Sequence, residues 1–172
     1  MLKLIGALLI LFSATMIGWQ IGKSYANRPP QLRALLLALQ MLETEIVYGS
    51  TPLHRAFAKI AARIPPAVGR IFQAAAEELV SKEGQATQIC WQTALEKHWM
   101  NTALGNPEKD VLRGLGYILG NSDREDQQKH LQLAVTHLRA LEEEARVEQN
   151  KYERMYKTLG VLSGLLLVIL MF

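Results

Sequence analysis

Four histidines, one cysteine and a run of carboxylates are the side chains of this 172-residue chain best suited to hold a metal or move a proton. His130 and His137 stand seven apart, on one helix face two turns on, without the i, i+4 spacing that puts two imidazoles on one ion. His54 and His98 have no such neighbour. Cys90 has no second cysteine to pair with and suits a reducing compartment. Beside Trp91 on a helical pattern, it reads as core filler. The chain contains no H-E-x-x-H, no cysteine pair, no glycine-rich phosphate loop and no G-x-S-x-G. Gly114-x-Gly116 lacks the preceding strand of a dinucleotide fold, so it reads as close helix packing or a local bend. In Glu142-Glu143-Glu144 the carboxylates read as a solvated face, with Glu148 and Glu153 interleaved among Arg146, Lys151 and Arg154 at i, i+3 and i, i+4. An enzyme needs a convergent set of groups, and none stands out. The expectation is a non-enzymatic chain without metal or cofactor, working by contact. The charged stretch 142–154 is a candidate docking segment for a partner or a second copy, where charge steers encounter more than it adds affinity.

The elements that position these residues read as helices. Pro29-Pro30 breaks the first helix or starts the next, and Leu32, Leu35, Leu36, Leu39, Leu42 and Ile46 form one apolar stripe ending near Gly49. Thr51 is the expected N-cap, with Pro52 at N1, of a helix burying Leu53, Ala56, Phe57, Ile60 and Ile64. Pro65-Pro66 opens the next, with Val68, Ile71, Phe72, Ala75 and Leu79 inward and Gly84 as the stop. A fourth runs from about Ala86 to Met100 over Ile89, Cys90, Ala94 and Leu95, with Trp91 a further core candidate. Asn106-Pro107 caps a fifth, with Val111, Leu112, Leu115, Ile118 and Leu119 before Gly120. Ser122 and Glu125 form a capping box that opens a long sixth helix, carrying Leu131, Ala134, Val135, Leu138, Leu141 and Ala145. No segment alternates like a strand between hairpin turns, so the predicted fold is all-α.

Mean hydropathy of +0.06 would pass for a soluble protein, but the apolar residues gather at the two ends. Leu4 to Gly22 is 19 residues without a charge, about 28 Å as a helix against a hydrocarbon core of roughly 30 Å. A secretory signal peptide competes with this reading, but no A-x-A-like cleavage site follows, and a retained anchor is favoured. Trp19 and Tyr25 suit the interface. Thr158 to Phe172, 15 residues without a charge, gives about 22 Å and reaches further with Met155, Tyr156 and a snorkelling Lys157; a buried or interfacial segment is the alternative. The expected domains are therefore an anchor over 1–25, a helical bundle over 26–157 and a second transmembrane segment over 158–172. Lys23, Arg28 and Arg33 on one side and Arg139 to Lys157 on the other place the bundle in the cytoplasm. Gly18-x-x-x-Gly22 and Gly160-x-x-x-Gly164 offer packing surfaces. All 16 acidic residues, and every Lys and Arg except Lys3, lie between Lys23 and Lys157 with signs mixed. Nucleic-acid binding would call for a concentrated basic face, and no nucleic acid partner is expected.

Three stretches together carry a resemblance: Glu45-Ile46-Val47-Tyr48-Gly49-Ser50-Thr51-Pro52-Leu53, then Leu119-Gly120-Asn121-Ser122-Asp123-Arg124-Glu125-Asp126-Gln127, then Met155-Tyr156-Lys157-Thr158-Leu159-Gly160. With both apolar ends included, the chain resembles the stage III sporulation protein AB family of endospore-forming bacteria. That family is similar to the inner-membrane F component of type II secretion and type IV pilus machines, whose cytoplasmic unit is a six-helix bundle; the F component usually carries two such units, and this chain has one. The resemblance implies a role in the feeding channel between mother cell and forespore, in the mother-cell membrane beside a secretion-type ATPase, the family's AA component, and other channel components. Matching positions give candidate interaction surfaces: Glu45, Tyr48, Thr51 and Pro52 on one turn, Gly120, Ser122, Asp123, Glu125 and Gln127 on another, and Tyr156 in the third stretch. Two alternatives to an ATPase-docking platform stay open, a self-assembling membrane scaffold (a homo-oligomer) outside sporulation and a membrane-bound enzyme with an unrecognised site.

Overall fold

The computed structural model describes residues 2–49, 51–82, 84–120 and 123–171, and their side chains except those of 2–5, 7, 8 and 171. Among the described residues there are six helices and no strand: α1 (Leu2–Val47), α2 (Leu53–Ala61), α3 (Pro66–Ser81), α4 (Thr87–Trp99), α5 (Asn106–Ile118) and α6 (Arg124–Met171). The all-α, six-helix expectation holds. The chain divides into two compact units, one of residues 1–29 and 144–172 and one of residues 30–143. Pro29-Pro30, expected to break or start a helix, lies inside α1, and the boundary between the units falls there. Two consecutive prolines remove two ladder hydrogen bonds, which weakens the helix at that point without ending it.

In the unit of residues 30–143, helices α2 to α5 pack each against the next in chain order. Their centre is Trp91, 1% exposed. Its ring centroid lies 5.3 Å from Phe57 on α2 and 5.5 Å from Phe72 on α3, and those two rings meet edge to face at 5.8 Å. Its indole Nε1–H donates to the Leu112 carbonyl of α5 at 2.7 Å. A Cβ on Gly116 would lie 2.5 Å from Trp91 Cδ1, so α5 approaches this closely only because residue 116 has no side chain. Ile89, an expected core residue two positions away, is instead exposed. Leu32, Leu35, Leu39 and Leu42 of α1 and Leu131 and Leu138 of α6 are fully buried in the same unit. Arg33 meets Glu142 at 3.7 Å, and Glu43 accepts from Gln132 Nε2 at 2.8 Å and Gln128 Nε2 at 3.2 Å.

Three helix starts differ from the sequence expectation. The backbone of α2 starts from the Pro52 carbonyl, with no side-chain cap. Gly105 precedes α5, its N–H donating to the fully buried Glu108 carboxylate at 2.8 Å. Asp123 Oδ1 accepts from the Asp126 N–H at 2.8 Å and so caps α6. The expected cap Ser122 lies outside the described residues, and Glu125, its expected reciprocal partner, faces Lys129 at 2.9 Å.

In the unit of residues 1–29 and 144–172, the start of α1 lies against the end of α6 through glycines. A Cβ at Gly18 would stand 2.7 Å from Gly160 Cα, one at Gly22 3.1 Å from the Glu153 carbonyl oxygen, and one at Gly164 3.1 Å from Ala14 Cβ. Tyr25 stacks on Tyr156 at 5.6 Å and meets Tyr152 at 5.5 Å, and Arg28 pairs with Glu148 at 2.6 Å. One expectation is corrected here. Among the described residues no helix is long and apolar enough to cross a membrane, so the two flanking transmembrane segments are not supported. The reason is length. A span needs about 20 consecutive predominantly apolar residues, whereas the uncharged runs are 19 residues, Leu4 to Gly22, with Ser13, Thr15 and Gln20 among them, and 15 residues, Thr158 to Phe172.

The packing around Trp91 sets a stability prediction. Trp91→Ala is expected to cost about 3–5 kcal/mol, and Trp91→Phe, which removes the donor to the Leu112 carbonyl, about 1–3 kcal/mol. Urea unfolding of the full-length protein followed by far-UV circular dichroism measures both; midpoints equal to the parent's would refute the account of this core.

A candidate docking hollow at the end of the bundle

The last turn of α1 runs into the turn before α2, and the segment before α6 lies beside them. Between these pieces is an open hollow of about 420 Å³, lined among others by Glu45, Thr51, Pro52, Gly120, Arg124 and Gln127. Two stretches some seventy residues apart in sequence thus share one surface. Tyr48 is next to the lining residue Gly49 and is 86% exposed. Ile46, Leu53 and Ala56 complete the apolar part of the wall, and Thr87 at the start of α4 adds a hydroxyl.

The turn is held by Glu45. Its carboxylate accepts from the Lys59 ammonium of α2, and its carboxyl is held below the usual range by that bond first and by the Thr51 hydroxyl second. Thr51 makes no side-chain cap to α2. Gly49 N–H donates to the Glu45 carbonyl at 3.0 Å, and a Cβ at residue 49 would lie 2.5 Å from that oxygen. Across the hollow, Gly120 has φ +96°, a left-handed conformation that favours glycine, and a Cβ there would stand 2.6 Å from Thr87 Oγ1. An ionised carboxylate already bonded to an ammonium is a structural latch. It is poorly placed to take a proton from a substrate.

The remaining singled-out residues fall elsewhere. Glu125 is exposed, and Asp123 serves as the cap of α6. Tyr156, Gly18, Gly22, Gly160 and Gly164 belong to the unit of residues 1–29 and 144–172. In the charged stretch 142–154, Glu142 and Glu148 turn to Arg33 and Arg28 of α1, while Glu153 has its i, i+4 partner Lys157 at 2.7 Å. Sequence reasoning missed Lys59 and Thr87. Neither carries a local signal, since each matters through a partner on another helix.

Two predictions come from this turn. A carboxyl whose folded pKa is depressed contributes stability above its unfolded pKa, and that stability is lost as pH falls through the folded value. The thermal midpoint of the parent should therefore fall more steeply than that of Glu45→Gln from about pH 5 to about pH 3, and parallel profiles would exclude the latch. Gly120→Ala is expected to cost about 1–3 kcal/mol through backbone strain and the clash with Thr87. Thr87→Ala in the same chain should recover only part of it, because the positive φ persists; full recovery in chemical denaturation would show that the backbone is unstrained.

A model of the family described as stage III sporulation protein AB matches residues 3–172. The stage III sporulation protein AB of Bacillus subtilis (strain 168) is 44% identical over 171 residues, which is 99% of each chain. A solved structure of a stage III sporulation protein AB is 41% identical with a TM-score of 0.69, covering 73% of this chain and 98% of that one. Sequence similarity along nearly the whole length and the same helical arrangement agree: this chain belongs to the stage III sporulation protein AB family.

Proposed function

We propose that this protein is a non-enzymatic platform in endospore formation that docks a cytoplasmic secretion-type ATPase to a channel between mother cell and forespore. Membership of the family supports the sporulation role. The single observation that carries the docking reading is the hollow itself, which brings Glu45, Thr51, Pro52, Gly120 and Gln127 to one surface. Its walls suit an apolar side chain flanked by an acceptor, with Ile46, Pro52 and Leu53 for the first and Arg124 for the second. Tyr48, almost fully exposed beside it, has the amphipathic ring that dominates many interface cores. The bundle is in this reading related to the F component of type II secretion and type IV pilus machines, which supplies the platform role.

The protein acts at the mother-cell membrane. Support comes from residues 1–29 and 144–172, where Phe12, Met16, Ile17, Leu162, Leu166 and Ile169 are all exposed. Exposed large apolar side chains in such number call for a partner or for lipid, and contact with lipid does not require a span.

Full-length protein is expected to bind the sporulation secretion-type ATPase, with Tyr48→Ala and Arg124→Glu each weakening binding about tenfold, or ~1.4 kcal/mol. Met100→Ala, altering a residue 89% exposed that does not line the hollow, should change nothing. Calorimetry or co-purification in low salt reads this, and no association of the parent protein would end the proposal.

A further inference from the structure

Where the apolar run of each long helix gives way to charge, the unit of residues 1–29 and 144–172 carries a collar of aromatic and basic side chains. Lys23 Nζ lies 5.0 Å over the Trp19 ring and Lys151 Nζ 5.0 Å over the Tyr152 ring. Tyr25, Tyr152 and Tyr156 form one cluster, the first stacked on the last at an interplanar angle of 8°. The Tyr25 hydroxyl is pushed up, by burial first and by Tyr156 next, so it stays a neutral donor. Six cations, Lys23, Arg28, Arg146, Lys151, Arg154 and Lys157, face three carboxylates over residues 23–28 and 144–157. Two of those carboxylates are occupied within the unit, Glu148 by Arg28 and Glu153 by Lys157 and Gln149. Lys23, Lys151 and Arg154 are exposed. Beside them Gln149, Asn150, Glu153, Arg154 and Lys157 line an open hollow of about 520 Å³.

We infer that this collar binds the anionic phosphate headgroups of a lipid surface, while the exposed apolar flank beside it rests on the hydrocarbon. The inference rests on the membrane reading above and adds headgroup charge as its determinant. Three features favour a lipid surface over an acidic protein. Tyrosine and tryptophan with one apolar side and one polar edge suit the boundary between hydrocarbon and water. Lysine stems spread along aromatic rings keep the ammonium at the level of headgroups. The exposed aliphatic residues continue directly from the collar on the same two helices, which an acidic peptide alone would leave uncovered. A guanidinium meets a phosphate with paired parallel bonds, and Arg154 stands in the wall of the hollow where a headgroup would enter.

The test uses full-length protein diluted from neutral detergent onto two vesicle populations, phosphatidylcholine alone and phosphatidylcholine with phosphatidylglycerol, followed by flotation. Strong uptake by the anionic vesicles, weakened by salt, is expected. Lys23→Gln, Lys151→Gln and Arg154→Gln should each reduce it about fivefold, and the three together on the order of a hundredfold. A control chain with Arg70→Gln, Lys97→Gln and Lys109→Gln, the same charge removed from α3, α4 and α5, should float like the parent. Equal uptake by both vesicle types overturns the collar and leaves the membrane reading standing, whereas uptake by neither overturns both. Preference for poly-glutamate over anionic vesicles would reassign the collar to an acidic protein and overturn the inference.

Discussion

The Trp91 indole fixes where four helices meet. A buried N–H without an acceptor is costly in an apolar core, so the bond to the Leu112 carbonyl is a requirement as much as a contribution. That bond brings α5 close to the ring, and the approach is possible only because residue 116 is glycine. The ring then offers its remaining surface to Phe57 and Phe72, which sets α2 and α3. With α2 and α4 in place, Lys59 reaches Glu45 and Thr87 closes against Gly120. The candidate site is thus downstream of the core: move Trp91 and the elements that form the hollow lose their common reference.

Much of this was legible in the sequence. Stripes at 3.6-residue spacing and the Pro and Gly punctuation between them indicate six helices, and the first stripe names Leu32, Leu35, Leu39 and Leu42, which are fully buried, and Leu36, which is half-buried. Local devices misled where a tertiary partner competed for the same atom. Thr51-Pro52 has the form of a helix start, yet α2 has no side-chain cap, and the Thr51 hydroxyl helps hold the Glu45 carboxyl down. Ile89 and Trp91 are two residues apart, so periodicity alone cannot say which faces inward. The indole is buried because an acceptor and two rings await it. Pro29-Pro30 has the form of a break, and α1 continues through it. The meeting of the Glu45 turn with the Gly120 turn is a long-range fact that no window of sequence contains.

The apolar ends show a different limit of sequence reading. Composition records that Thr158 to Phe172 is greasy, but not whether its neighbours are lipid, a partner helix or water. What the chain does encode is the spacing of its glycines. Gly18 and Gly160 meet so closely that a methyl group on either would strike the facing backbone, which makes this contact sensitive to single-carbon changes.

The two units handle apolar residues in opposite ways. In residues 30–143 Leu32, Leu35, Leu39, Phe57, Phe72 and Trp91 are buried, the arrangement that water enforces. In residues 1–29 and 144–172 Gly18, Gly22, Gly160 and Gly164 are buried and Phe12, Ile17, Leu166 and Ile169 are exposed. Small residues inside and large aliphatic ones outside is the pattern expected where expulsion of apolar surface from water no longer drives helices together and close backbone packing does. An aqueous surrounding would favour the reverse, since each exposed leucine forgoes about 1.5–3 kcal/mol of burial. The proposed contact of that unit with lipid rests on this inversion, and such contact does not require a membrane span.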